Sequence, residues 1–231
     1  YMGDPKAYTY ANEVIQALRD GYFRFTQENE LSMNDKKKRD VIMQNEVLFA
    51  LNYSGIHDLW YSYDASQNTA YEIDRASTLY PSGNDFRGQY LVIDGSRTSA
   101  KVSIKYADVK AEKGEKIPMI RMSEMFLIAA ESGFDQDKEN AISLLEELRL
   151  NRGIGGEISS TISAEKFREE LTIEARREFL GEGQMFYWYK RLGVPVGLDE
   201  IEVSPATFCL PLPATEVEFG NRAEDYIKNL K

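Results

Sequence analysis

Three glutamates stand four residues apart, Glu174, Glu178 and Glu182. That spacing stacks their carboxylates on one helix face. Paired carboxylates can protonate a leaving group and activate water on a glycoside. Arg176 and Arg177 interleave with them, and Arg149, Arg152 and Arg191 are further candidate partners. Both signs of charge on one helix point first to a structural ion-pair network and only second to catalysis. His57 is the single histidine and Cys209 the single cysteine. A His-based triad, a zinc site and an internal disulfide therefore all lack partners. Asp58, Asp64 and Asp74 lack the glycine and terminal glutamate of a calcium-binding loop. We expect no catalytic residue, no metal and no cofactor.

The residues best suited to hold a ligand are rings. Trp60, Tyr61, Tyr63, Tyr71 and Tyr80 recur beside Asp64, Gln67, Asn68, Asn84 and Arg87. Sugars stack their C–H faces on such rings and offer hydroxyls to such polar groups. The expected ligand contacts are Trp60, Tyr61, Tyr63, Tyr71, Tyr80, Asn84 and Arg87. The competing account is that these rings plug an irregular subdomain with little regular structure. Residues 54–100 show little periodicity and are punctuated as in YPSGND at 80–85. A loop of that length is usually functional. Short strands are expected at 90–93 and 102–106. We take 54–116 as the loop-rich candidate binding subdomain. A second aromatic block, Phe186 to Tyr189, reads as core with one or two rings outward.

These residues need a rigid support, and 117–193 supplies its clearest signals. Ser123 precedes an apolar run, Met125 to Ala130, that Gly133 ends. Ala141, Leu144, Leu145 and Leu148 recur at helical spacing. Ser163 caps a third helix, with Glu165 in its first turn and Phe167, Leu171 and Ala175 as its stripe. The first two helices, joined through Gly133 to Lys138, predict an antiparallel hairpin of the tetratricopeptide kind. Another helix is expected over 4–20, with Pro5 in its first turn, a stripe of Ala7, Ala11, Val14, Ile15 and Leu18, and Gly21 as its stop. Tyr22, Phe23 and Phe25 read as a short extended piece. Residues 35–51 read either as a helix or as a loop followed by a strand, with the alternation of Val47, Phe49, Leu51 and Tyr53 favouring the strand. FCLPLP at 208–213 reads as extended.

Composition narrows the classes. The chain has 231 residues, 42% of them hydrophobic, and a net charge of −10, which suits a folded core and opposes nucleic-acid binding. Its basic run, Lys36 to Arg39, lies between Asp35 and Asp40. No window approaches the length of a membrane span. The sequence does not begin with Met and opens within an amphipathic helix. KAYTYANEVI resembles the second helix of a tetratricopeptide unit, so we expect an N-terminal part beyond this sequence.

Four separated motifs then carry a resemblance. RMSEMFLIAAE at 121–131, LLEELRLNRG at 144–153, IEARREFLGEGQMFYWYKRLG at 173–193 and LPLPATEVEFGN at 210–221 resemble, in the same order, the signatures of the SusD/RagB family. NDFR at 84–87 and Lys105-Tyr106 resemble that family's Asp-x-Arg turn and Lys-aromatic pair. The match runs from about residue 84 to the C-terminus, and 1–83 fits loosely. The resemblance implies a mainly α fold, with tetratricopeptide-like helical hairpins and an irregular loop-rich subdomain. Residues 1–231 would then be the C-terminal portion of one SusD-like domain. It also implies a non-catalytic surface lipoprotein of the outer membrane that captures an oligosaccharide or other nutrient. Its partner would be a SusC-like TonB-dependent transporter, and its lipid anchor would lie outside this sequence, since Cys209 is too deep in the chain to carry it. The family's ligand site lies on loops outside the helical repeats, in agreement with 59–90, and the block around Glu178 is structural. The rival classes are a protein-interaction module that binds no glycan and a glycoside hydrolase using the glutamates.

Overall fold

A computed structural model describes residues 3–35, 38–52, 76–94, 101–105, 116–196 and 201–209. The chain divides into two compact units, one of residues 2–181 and one built on 182–231.

In the larger unit the apolar stripe near the N-terminus makes α1, Ala7–Arg19, with Ala11 and Ile15 buried. Pro5 lies in the turn before it, and Gly21 stops it at a φ of 86°, donating its N–H to the Leu18 carbonyl. Phe25 follows outside helix and strand, and its buried ring lies 5.2 Å from that of Phe126. A one-turn helix, α2, spans Glu28–Leu31. After a 3₁₀ turn at Gln44–Glu46 comes β1, Val47–Asn52, so the strand reading of this stretch holds. Tyr53 lies outside the described residues.

The stretch expected to be loop contains two short helices among its described residues, α3, Ala76–Leu79, and α4, Phe86–Tyr90. Asp85 caps α4 by accepting the Arg87 N–H at 3.0 Å. Two short strands overlap the expected stretches, β2, Val92–Asp94, and β3, Lys101–Ser103, and pair antiparallel, while Tyr90 belongs to α4. Strand β4, Lys116–Arg121, pairs antiparallel with β1 and sets Pro118 opposite Ala50. Sequence periodicity does not announce β4, because a proline argues against a strand unless it sits on an edge, as in this two-stranded ladder.

β4 runs directly into α5, Met122–Gly133. Ser123 is therefore a buried residue of the first turn, and Arg121 holds the cap position. Helix α6, Lys138–Leu150, is capped by Asp137, which accepts the Asn140 N–H at 3.1 Å. Helix α7, Ala164–Glu178, is capped by Ser163 as expected. α1 packs along α5, α5 against α6, and α5 also meets α7. Phe126, Leu127, Leu144, Leu145, Phe167 and Leu171 are buried in these helices. Gly133 brings α1 close, because a Cβ there would overlap the Tyr8 ring. A smaller apolar cluster joins Leu31, Val41, Ile42, Met43 and Leu91, with Phe86 and Tyr90 packed on it.

In the smaller unit α8 spans Gln184–Leu192, between Gly183 at φ 76° and Gly193 at φ 62°. Trp188 and Tyr189 are buried while Phe186 and Tyr187 are exposed, the division expected of that block. Arg191 stands 5.2 Å over the Trp188 ring, and the Phe186 and Phe208 rings lie 5.6 Å apart. Pro205–Phe208 is a 3₁₀ turn, so Phe208 does not open an extended piece, and 210–213 lie outside the described residues. The fold is mainly α, as expected. Among the described residues no helix is long and apolar enough to cross a membrane.

Candidate functional site

The glutamates that could have done chemistry meet a set of buried cations. Asp85 and Arg87, two residues apart, form a bidentate pair, with Arg87 Nε 3.0 Å from Oδ1 and NH2 2.9 Å from Oδ2 of Asp85. Arg87 NH1 donates to Glu178 Oε2 at 2.8 Å and lies 2.7 Å from Glu174 Oε1. Arg121 NH1 donates to Glu178 Oε1 at 2.6 Å. Arg152 donates through Nε and NH2 to the two Glu178 oxygens at 3.0 and 2.9 Å. Its NH1 and NH2 also reach Glu46 at 2.9 and 2.6 Å. The Glu178 carbonyl, at the end of α7, accepts Lys105 Nζ at 2.8 Å and Arg121 NH2 at 3.0 Å, where cations favour the negative end of the helix dipole. Glu174 faces Arg149 Nε at 3.2 Å as well.

Electrostatics fix the protonation of this cluster. Burial alone would raise the Glu178 pKa, but Arg152, Arg121 and Arg87 outweigh it and hold the carboxyl well below the usual range. For Glu174 burial is likewise overcome by Arg87, Arg149 and Arg177, and its pKa is lowered. Burial disfavours charge on Arg87, and the carboxylates of Glu174, Asp85 and Glu178 reverse that, so its pKa is raised. A glycosidic general acid needs the opposite arrangement, a carboxyl kept protonated beside its substrate. Glu174 and Glu178 are ionised, buried and ion-paired. They act as structural ion-pair partners, the main expectation for them.

The ligand contacts expected from the sequence fall in different places. Trp60, Tyr61, Tyr63 and Tyr71 lie outside the described residues, as do Asp64, Gln67 and Asn68. Tyr80, Asn84 and Arg87 are described and sit on the short stretch from α3 to α4. Asn84 is exposed. Its carbonyl lies against Gly153, whose φ of 81° and missing Cβ permit the approach. Tyr80 is half-buried and donates its hydroxyl to the Arg177 carbonyl at 3.0 Å. Burial pushes its phenol above its ordinary pKa. Arg87 needs correction as a ligand contact. At 2% exposure, with its guanidinium committed to Asp85, Glu174 and Glu178, it has no face for a ligand.

Sequence reasoning named Arg149 and Arg152 as partners of these glutamates but missed Asp85, Glu46 and Arg121. Two signals pointed to them. The Asp85-x-Arg87 spacing suits a capped, self-paired turn, and Arg121 and Glu46 are charges set directly beside apolar runs. Among the described residues no cluster of His, Cys, Asp or Glu is arranged to hold a metal.

A helical hairpin with short paired strands beside it, tied together through a buried arginine–glutamate cluster, defines a mainly α helical scaffold. The sequence profile of the SusD family matches residues 5–221, and the chain belongs to the SusD family. The match reaches well upstream of the motifs that first suggested it. Among solved structures, a SusD superfamily protein of Bacteroides thetaiotaomicron VPI-5482 superposes with a TM-score of 0.68 at 23% identity, over 93% of this chain and 54% of that one. A SusD superfamily protein of Bacteroides vulgatus ATCC 8482 gives 0.69 at 20% identity, over 93% and 53%. The surface glycan-binding protein A of Bacteroides thetaiotaomicron gives 0.60 at 16% identity, over 92% and 57%. The chain thus spans about half the length of the solved relatives it matches. No curated protein matches it.

Proposed function

We propose that the protein binds an oligosaccharide or other nutrient at the cell surface without acting on it chemically. In this reading it is a lipoprotein of the outer membrane that delivers its ligand to a SusC-like TonB-dependent transporter. The observation that carries the proposal is family membership over residues 5–221, and the fold shared with a surface glycan-binding protein supports it. The buried, cation-bound state of Glu174 and Glu178 weighs against the glycoside hydrolase alternative. The ligand-bearing part is 54–116, with Trp60, Tyr61, Tyr63 and Tyr71 as stacking rings. Tyr80 and Asn84 are among its described residues, and Arg87 serves the fold.

A glycan array on the full-length protein, repeated with Trp60→Ala and Tyr71→Ala, tests this reading. We expect at least one glycan to bind and one of these changes to weaken it about ten-fold, the equivalent of about 1.4 kcal/mol. Binding that neither change weakens would remove the proposed site. Release of reducing ends from polysaccharide would overturn the non-catalytic reading. A protein partner bound with no glycan response would favour an interaction module.

A further inference from the structure

One residue gathers cations from four places in the chain. Arg87 comes from α4, Lys105 from just past β3, Arg121 from the end of β4 and Arg152 from the turn after α6. All four donate to Glu178, Arg87 and Arg152 to its carboxylate, Lys105 to its carbonyl and Arg121 to both. Arg87 on one side, and Arg121 and Arg152 on the other, come from elements that stand on two different apolar supports. The hairpin α5–α6 buries Phe126, Leu127, Leu144, Leu145 and Leu148. Leu91, at the end of α4, belongs instead to the smaller cluster with Leu31, Val41, Ile42 and Met43.

We infer that Glu178 is a positioning residue, the anchor that, beside the Glu174 contact to Arg87, holds α4 and the β2–β3 pair to α7. The apolar hairpin α5–α6 keeps its fold without it. A carboxylate buried among guanidinium groups suits this task, because its hydrogen bonds fix direction as well as distance. Such an anchor divides the unit into parts that open separately. On the proposed function, which this step deepens, α4, β2 and β3 lie within the ligand-bearing part. Glu178 therefore governs affinity without touching the ligand.

Hydrogen exchange on the full-length protein, wild type against Glu178→Gln, tests the anchor. We expect amides of α4, β2 and β3 to exchange at least ten-fold faster, and those of residues 126–148 to stay within about two-fold. Equal acceleration everywhere would make Glu178 a general stabilising residue and overturn the inference, as would no change. If Glu178→Gln fails to fold, Lys105→Met severs one branch only. It should speed exchange in β2–β3 alone, and Lys105→Arg should restore protection. Unchanged or uniform exchange in Lys105→Met would equally overturn the inference. This readout needs no ligand, so an empty glycan array bears on the proposed function and leaves the anchor to be judged by exchange. Where a glycan is bound, Glu178→Gln should weaken it at least ten-fold while Trp60 and Tyr71 remain intact.

Discussion

A guanidinium withdrawn from water costs several kcal/mol before any partner is counted. Arg87 meets that cost with a bidentate contact to Asp85 and a shared contact to Glu174 and Glu178. Removing the side chain would leave those carboxylates buried and short of a cation. We expect Arg87→Ala to destabilise the protein by about 3–5 kcal/mol, read from urea denaturation midpoints. Arg87→Lys should recover only part of this, because a single ammonium cannot reproduce the planar fork. A loss within about 0.5 kcal/mol, the usual range for surface positions, would show that the cluster contributes little. The sequence revealed that Glu174 and Glu178 share a face with arginines nearby. It did not reveal that Arg87 lies within the same cluster, since Arg87 and Glu178 are brought together only by folding. The ring-rich company Arg87 keeps in sequence suggested a ligand contact, and its burial made it structural.

The helices show how far local pattern carries. Ser163 and the apolar stripes of α1, α6 and α7 behave as their spacing requires. Leu145 is fully buried, so Leu145→Ala should cost about 2–5 kcal/mol in the same denaturation experiment. A near-zero effect would place that face in solvent. Gly133 lies against the Tyr8 ring, and Gly133→Leu should force α1 away from α5 at a cost of about 1–3 kcal/mol. A thermal melt would show this as a lower midpoint, and an unchanged midpoint would deny the close approach. The strands were less legible. β1 and β4 pair across a long stretch of chain, and Pro118 masks the pattern of β4. Phe49 and Leu51 alternate as a strand should, yet both face outward, at 53% and 47% exposure. Alternation identified the strand without saying which side would be covered.

At the scale of the whole molecule the buried cluster contributes to the response to acid. The folded pKa values of Glu174 and Glu178 lie below their ordinary value. The unfolded chain therefore takes up protons first as pH falls. Their contribution is complete above about pH 4.3 and is lost as pH drops through the lowered folded values. Urea midpoints should be insensitive to these groups between about pH 6 and 8 and should decline steadily below about pH 4.5. The decline should be shallower in Glu178→Gln. A wild-type midpoint that holds to pH 3 would contradict the assignment. Taken alone, the sequence determined the family, the principal helices with the Ser163 cap and the Gly21 stop, and the opposed charges on α7. Those properties arise from neighbours within a few turns of chain, where spacing and residue type suffice. Tertiary structure decided which arginines close on Glu178, which strand pairs with β1 and which charged groups leave water. Each of those depends on segments far apart in sequence, and burial, which governs the worth of a charge, exists only once they have met.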